Sequence, residues 1–171
     1  NTEFVGVEIP INVVTDSNSG VVIIGFVDLI IKDLYHNKYK IIDIKTSTRG
    51  WNQYQKSDDT KLAQVLLYKK YYAKQYGVDI ADIDAEFFIV RRKINTDLEF
   101  PPKRVQIVRT ASGRVKMKQV ESKLNEFVKI FDDKGKVIPG TIFNQHPGSA
   151  CKYCLFKDLP DLCDGPSKIK K

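Results

Sequence analysis

Residues 21–47, VVIIGFVDLIIKDLYHNKYKIIDIKTS, read as two strands and the turn between them. Val21 to Asp33 is rich in β-branched residues, which suit a pleated, half-buried surface. His36-Asn37 makes the turn, and Lys38 to Thr46 is the returning strand. His36 is assigned to that turn and to no chemistry. Two aspartates stand inside these apolar runs, Asp28 in Gly25-Phe26-Val27-Asp28 and Asp43 in Ile41-Ile42-Asp43-Ile44-Lys45. Asp is depleted in strands and is rarely buried without a partner. Side chains alternate across a strand, so Asp43 and Lys45 share a face. If the two strands pair as a hairpin, Asp28 comes close to Asp43, and two carboxylates converge with one ammonium.

Working outward, residues 4–14 alternate loosely and read as an earlier strand, closed by the turn Asp16-Ser17-Asn18-Ser19-Gly20. The opening is therefore an antiparallel meander. Ser57 or Asp58 can cap a following helix, in which Leu62, Val65, Leu66, Tyr72 and Tyr76 recur at helical spacing until Gly77 stops it. Ala85 to Arg92 and Arg104 to Arg109 read as two more strands. A second amphipathic helix is predicted from Arg114 to Phe131, with Val120, Leu124, Phe127, Val128 and Phe131 on one face. This order predicts an α/β domain with a central mixed β-sheet flanked by helices. The 171 residues suit one core domain over 1–145 and a Cys-containing tail over 146–171 packed on it. The longest apolar runs are about four residues, far short of the roughly 20 that span a bilayer, so no membrane partner is expected. The chain begins at Asn1 without an initiator Met, and an earlier element is expected before it.

Two carboxylates beside a lysine suit metal-assisted phosphodiester hydrolysis. Mg²⁺ takes oxygen ligands and keeps several waters, so one or two carboxylates suffice for each ion. Such an ion stabilises charge developing on the phosphate and acidifies water, while a lysine orients that water or neutralises the phosphate. The competing reading is an exposed Asp43–Lys45 ion pair and an unrelated Asp28 at a strand edge.

Three motifs in sequence resemble the PD-(D/E)XK nuclease superfamily, and within it the RecB-like exonuclease branch with its phage and CRISPR-associated relatives. Gly25-Phe26-Val27-Asp28 resembles its Gly-x-x-Asp, Asp43-Ile44-Lys45-Thr46-Ser47 its Asp-x-Lys-Thr-Ser, and Gln64-Val65-Leu66-Leu67-Tyr68 its Gln-x-x-x-Tyr. The resemblance implies a restriction-endonuclease-like core and a Mg²⁺- or Mn²⁺-dependent deoxyribonuclease, more an exonuclease or flap-type enzyme than an endonuclease. It implies work in recombination or phage DNA metabolism, with DNA and a helicase or recombination protein as partners. It makes Asp28 and Asp43 metal ligands, Lys45 the catalytic lysine and the Ile44 carbonyl a further ligand. Glu8 is the candidate for the acidic ligand that RecB-like enzymes carry on an earlier element, and a histidine ligand would lie before Asn1. The alternative is a non-catalytic DNA-binding or scaffold domain that keeps the fold. Gln64 and Tyr68, four apart, share a helix face. They read either as contacts to substrate DNA or, for Tyr68, as packing with Tyr71 and Tyr72.

The formal charge is +7, and the pI is near 9.2. Residues 91–118 hold nine Lys or Arg against Asp97 and Glu99, so this segment alone accounts for the net charge. That concentration suits a phosphate track, with Arg91, Arg92 and Arg104 as its candidates, or else a solvated basic face. The three cysteines are Cys151, Cys154 and Cys163. An odd number clustered in the tail speaks against a disulfide framework and for a reducing, cytoplasmic setting. With His146 they make a Cys₃His zinc candidate. The other readings are a knuckle of free thiols and an iron-sulfur cluster completed by a cysteine upstream.

Overall fold

The computed structural model describes residues 1–18, 20–141, 148–157 and 159. Five strands form one sheet in the order β1 (Thr2–Val14), β2 (Val22–Asp33), β3 (Lys38–Ser47), β4 (Ile83–Arg91) and β5 (Val105–Arg109). The first three are an antiparallel meander and β5 is antiparallel to β4, whereas β3 and β4 run parallel. Parallel neighbours cannot be joined by a hairpin. The crossover here carries α1 (Gln53–Lys56), α2 (Asp59–Tyr76) and a short 3₁₀ turn at Ile80–Asp82. A last helix, α3 (Arg114–Val128), follows β5. The sheet is mixed and helices accompany it, as the alternation of periods predicts.

Local chemistry sets the ends of α2. The Asp58 carboxylate accepts the N–H groups of Thr60 and Lys61, and Asp59 faces the positive end of the helix dipole. Gly77 closes the helix in the left-handed region at φ 67°, a conformation that costs most other residues a clash at Cβ. Val65, Leu66, Tyr71 and Tyr72 turn inward. Tyr71 and Tyr72 pack on Ile11, Val27, Ile30 and Ile41 of the meander. Val65 joins Trp51, Ala85, Phe87, Ile89 and Val108 over the parallel half. Leu66 meets Met117 and Val120 of α3. Each fully buried side chain of this size, Phe87 for example, contributes about 1.5–3 kcal/mol relative to exposure.

The α3 stripe differs from its predicted form. Val120 and Val128 are buried and Leu124 packs on the core, but Phe127 is 57% exposed. Residues four apart lie along one line of the helix, and Phe127 falls to the side of that line, where its ring meets Phe131 at 5.3 Å. The helix stops at Val128 rather than Phe131.

The described chain divides into two compact units, Asn1–Lys136 and Val137–Lys171. The break falls earlier than the boundary after residue 145 expected from sequence. In the second unit a 3₁₀ turn spans Ser149–Tyr153.

Candidate active site at the parting of two strands

Strands β2 and β3 pair from Asp33↔Lys38 up to Leu29↔Ile42 and then part. Asp28 and Asp43 are the next residues on each strand, so they stand opposite one another where the ladder opens. The opening is held by a side chain. Asp28 Oδ2 accepts the Ile44 N–H at 2.7 Å, a bond from one strand's carboxylate to its neighbour's backbone.

The β1–β2 ladder shifts register between Phe4 and Gly6 and skips one pairing further on, level with the opening. Val7 pairs with Leu29 and Ile9 with Val27, which leaves Glu8 level with Asp28. Glu8 has φ 48°, left-handed for a non-glycine residue. Val27 and Ile30 both reach the core although three apart, so strict alternation breaks between them. Irregularities of this kind re-aim side chains next to active sites. Glu8 itself is exposed. Among the described residues no group of three or more His, Cys, Asp or Glu is placed to hold a metal ion, and Asp28 and Asp43 are the two carboxylates at the opening.

Asp43 is 1% exposed. Lys45 Nζ donates to its Oδ1 at 3.1 Å and lies 2.8 Å from Oδ2 without hydrogen-bond alignment. Oδ2 is thus a buried oxygen with no hydrogen bond. Burial pushes the Asp43 carboxyl above its ordinary range, Lys45 opposes that rise, and the Asp28 charge adds to it. The Lys45 ammonium offsets the charge of this carboxylate but leaves Oδ2 without an aligned donor. The observed pair is therefore not the exposed Asp–Lys bridge of the competing reading. A hard divalent cation is the kind of group that satisfies such an oxygen, and the donor set of two carboxylates suits Mg²⁺ or Mn²⁺.

The Gly-x-x-Asp and Gln-x-x-x-Tyr motifs meet in space. A Cβ added at Gly25 would stand 3.1 Å from the Tyr68 ring, so the absent side chain lets α2 lay that ring against β2. Gln64 Nε2 donates to the Tyr68 hydroxyl at 3.2 Å. Tyr68 also packs on the core of the meander, beside Tyr71 and Tyr72.

The basic candidates divide. Arg92 is exposed and donates to Thr48 Oγ1 at 3.0 Å. Arg91 is bound to main-chain carbonyls of Arg49 and Lys103, and Arg104 to those of Arg91 and Arg92. Arg91 thus links Lys103 to Arg49, just past β3, and Arg104 closes the 92–104 loop on the end of β4. Sequence reasoning passed over Trp51, which is 7% exposed and packed on Phe87 with ring centroids 4.9 Å apart and planes tilted by 53°. Gln106 clasps its backbone, accepting the N–H at 2.7 Å and donating to the carbonyl at 3.1 Å. Its place just after the Asp-x-Lys motif, and its being the single Trp, were the available signals.

A family model of the PD-(D/E)XK nuclease superfamily matches residues 1–159. The chain belongs to the PD-(D/E)XK nuclease superfamily. The match takes in all three motifs, the sheet and both long helices, and it ends before Cys163. The mixed sheet with helices is the α/β core of such a nuclease. Among curated proteins none matches the chain.

Cys151 and Cys154 are half-buried free thiols in a tight turn, with the Cys154 N–H on the Cys151 carbonyl at 3.1 Å. His146 and Cys163 lie outside the described residues. No helix among the described residues is long and apolar enough to cross a membrane.

Proposed function

We propose that this superfamily member is a metal-dependent deoxyribonuclease of the RecB-like branch, an exonuclease or flap-type enzyme of recombination or phage DNA metabolism. The observation that carries the proposal is the buried, hydrogen-bond-free Asp43 Oδ2 beside Lys45 and opposite Asp28. Asp28, Asp43 and the Ile44 carbonyl would hold Mg²⁺ or Mn²⁺. When bound, the ion supplies charge stabilisation at the phosphate and a more acidic water. The chain's own groups do the rest. Asp28 fixes β3 at Ile44, and so keeps Asp43 and Lys45 in register with the opening. Lys45, about a third exposed and bonded to Asp43, can orient the nucleophile or meet a scissile phosphate. Gln64 and Tyr68 flank the substrate backbone, and Arg92, with the charge of Arg91 and Arg104 behind it, continues the phosphate track.

The tail is assigned a structural role. Cys151 and Cys154 sit in a turn whose two thiols suit zinc, with His146 and Cys163 to complete the set, or an iron-sulfur cluster. The thiols fit a reducing, intracellular compartment, and a helicase or recombination protein is the expected feeder of substrate.

Cleavage of end-labelled single- and double-stranded DNA tests the function, with Mg²⁺, Mn²⁺ or EDTA in parallel. Metal-dependent product that EDTA abolishes is the expected result. DNA binding without cleavage under every metal would make the protein a non-catalytic DNA-binding domain instead.

A further inference from the structure

We propose that the cleft at the start of α3 is a second site, apart from the Asp43–Lys45 centre, which holds a phosphate group, free or carried on a nucleotide, between the α3 N-terminus and the buried ammonium of Lys69.

Lys69 is 6% exposed and lies on the inward side of α2. An ammonium has three N–H donors, and this one makes a single bond, to Ser112 Oγ at 3.3 Å. Among the described residues no carboxylate pairs with it. Burial pushes the Lys69 ammonium below its ordinary 10.5, against the pull of the Asp84 charge. Lysine is almost never buried without a partner.

The bond to Ser112 places that ammonium at the start of α3, since the next residue, Gly113, is the N-cap. Gly113 has no side chain to cap with. The helical bonds begin with the Met117 N–H on the Gly113 carbonyl at 3.1 Å, which leaves the N–H groups of Arg114, Val115 and Lys116 without acceptors in the helix. The first turn holds no acidic residue, and Arg114 adds positive charge at the positive end of the dipole. Arg114 and Lys118, four apart on one face, make no hydrogen bond or ion pair among the described residues. Every one of these groups is better off with an anion beside it.

The cleft has room for one. Its volume is about 720 Å³, and a Cβ added at Gly113 would meet nothing within 4 Å. Its own carboxylates are engaged elsewhere. Asp79 accepts the Ala81 N–H at 2.8 Å, and Glu121 pairs with Lys70 at 3.3 Å. A phosphate fills part of this volume and leaves space for a nucleoside against Ile80 and Met117. Topology keeps the cleft away from the carboxylates of the nuclease reading. Residues 79–81 precede β4 and residues 112–114 follow β5, which runs against β4, so both segments lie beyond the Ile83 end of the sheet. Lys45 is level with Ile89. Six residues of strand put about 20 Å between those levels.

The test is calorimetric titration of the full chain, in EDTA at fixed ionic strength, with inorganic phosphate, thymidine 5′-monophosphate and thymidine. The two phosphates are expected to bind and thymidine is not. Lys69→Met should weaken both roughly tenfold or more, and its melting temperature without ligand should equal or exceed the parent's, because a buried unpaired charge is removed. Arg114→Ala should weaken both about three- to tenfold, and Lys45→Ala should leave them within about twofold. Tighter binding of the monophosphate makes a nucleotide the occupant, and equal binding makes it free phosphate; the site stands in either case. The proposal is overturned if neither phosphate binds, or if Lys69→Met or Arg114→Ala binds them as the parent does. Loss of phosphate binding in Lys45→Ala overturns it too, by placing the ligand at the Asp43–Lys45 centre. So does an equal loss of duplex DNA affinity in Lys69→Met, which would make the cleft part of the DNA track. If Lys69→Met does not fold, Arg114→Ala, an exposed change, decides the matter. No cleavage is involved, so this site and the nuclease reading fail separately.

Discussion

Lys45 is where the chemistry of single residues is most exposed to test. Its ammonium is bonded to a buried carboxylate, and its side chain is about a third exposed. Lys45→Ala should slow single-turnover cleavage far more than it weakens binding to DNA in EDTA. Lys45→Arg should restore little, because a planar guanidinium does not replace a compact ammonium in a tight site. Equal losses in rate and affinity would make Lys45 a phosphate contact only. Gly25 offers a second test. Gly25→Ala drives a methyl group against the Tyr68 ring and should cost about 1–3 kcal/mol in urea unfolding. In Tyr68→Ala the same change should cost little, and additive costs would show that the two residues are not coupled. Asp28, Asp43 and Lys45 were legible in the sequence because charge inside an apolar strand is unusual enough to need a reason. The Gly25–Tyr68 contact was not, since it depends on where a helix lands. Nor could the fate of Arg91 and Arg104 be read, because a positive charge in a sequence does not say that its N–H groups are bound to nearby carbonyls.

Among the elements, α2 bears on the site most directly, since it carries Gln64 and Tyr68 and bridges the parallel strands. Asp58→Ala removes the acceptor for two N–H groups at its start and should lower stability by about 0.5–2 kcal/mol, whereas Asp58→Asn should keep most of it. At its other end Lys70 and Lys74 pair with Asp16 of the β1–β2 turn. The hydrogen bonds from Lys74 and Lys70 hold the Asp16 carboxyl below its ordinary 3.8. A lowered folded-state value gives stability that is present above the unfolded value and lost as pH falls through the folded one. The pair is half exposed and screened, so it is worth no more than about 1 kcal/mol. Asp16→Asn should then lower the melting temperature slightly at pH 7 and by less once the pH is well below the ordinary 3.8; an equal drop at both would remove the ion pair as its cause. The strands and α2 were legible because β-branched runs and a capped helical stripe each have one period. The four residues of α1 were not, being shorter than any periodicity can show. The end of α3 was misplaced because Phe127 and Phe131 look like core from hydrophobicity alone.

For the whole molecule, charge and topology act together. The excess of cations lies in residues 91–118, which run from the end of β4 through β5 into α3, and the end of β4 pairs with β3 beside Ser47. Arg92→Ala should weaken DNA binding whatever its sequence and flatten the salt dependence by up to about 0.9 in slope. An unchanged slope would place the phosphate track elsewhere. The mixed sheet was legible in the sequence, but the strand order was not, since a helix between two strands permits a parallel neighbour without requiring one. The site follows from that topology, because β3 is the strand from which both a hairpin partner and a crossover depart. Asp43 lies at that junction, buried, with Lys45 as the partner of its carboxylate. The most direct measurement is single-turnover DNA cleavage in Mg²⁺ by Asp43→Ala, set beside its melting temperature. The expected result is a rate lower by roughly a thousandfold or more with a melting temperature equal to or above the parent's. Cleavage within about tenfold of the parent's, which is less than about 1.4 kcal/mol of barrier, would contradict a metal-dependent site built on Asp43.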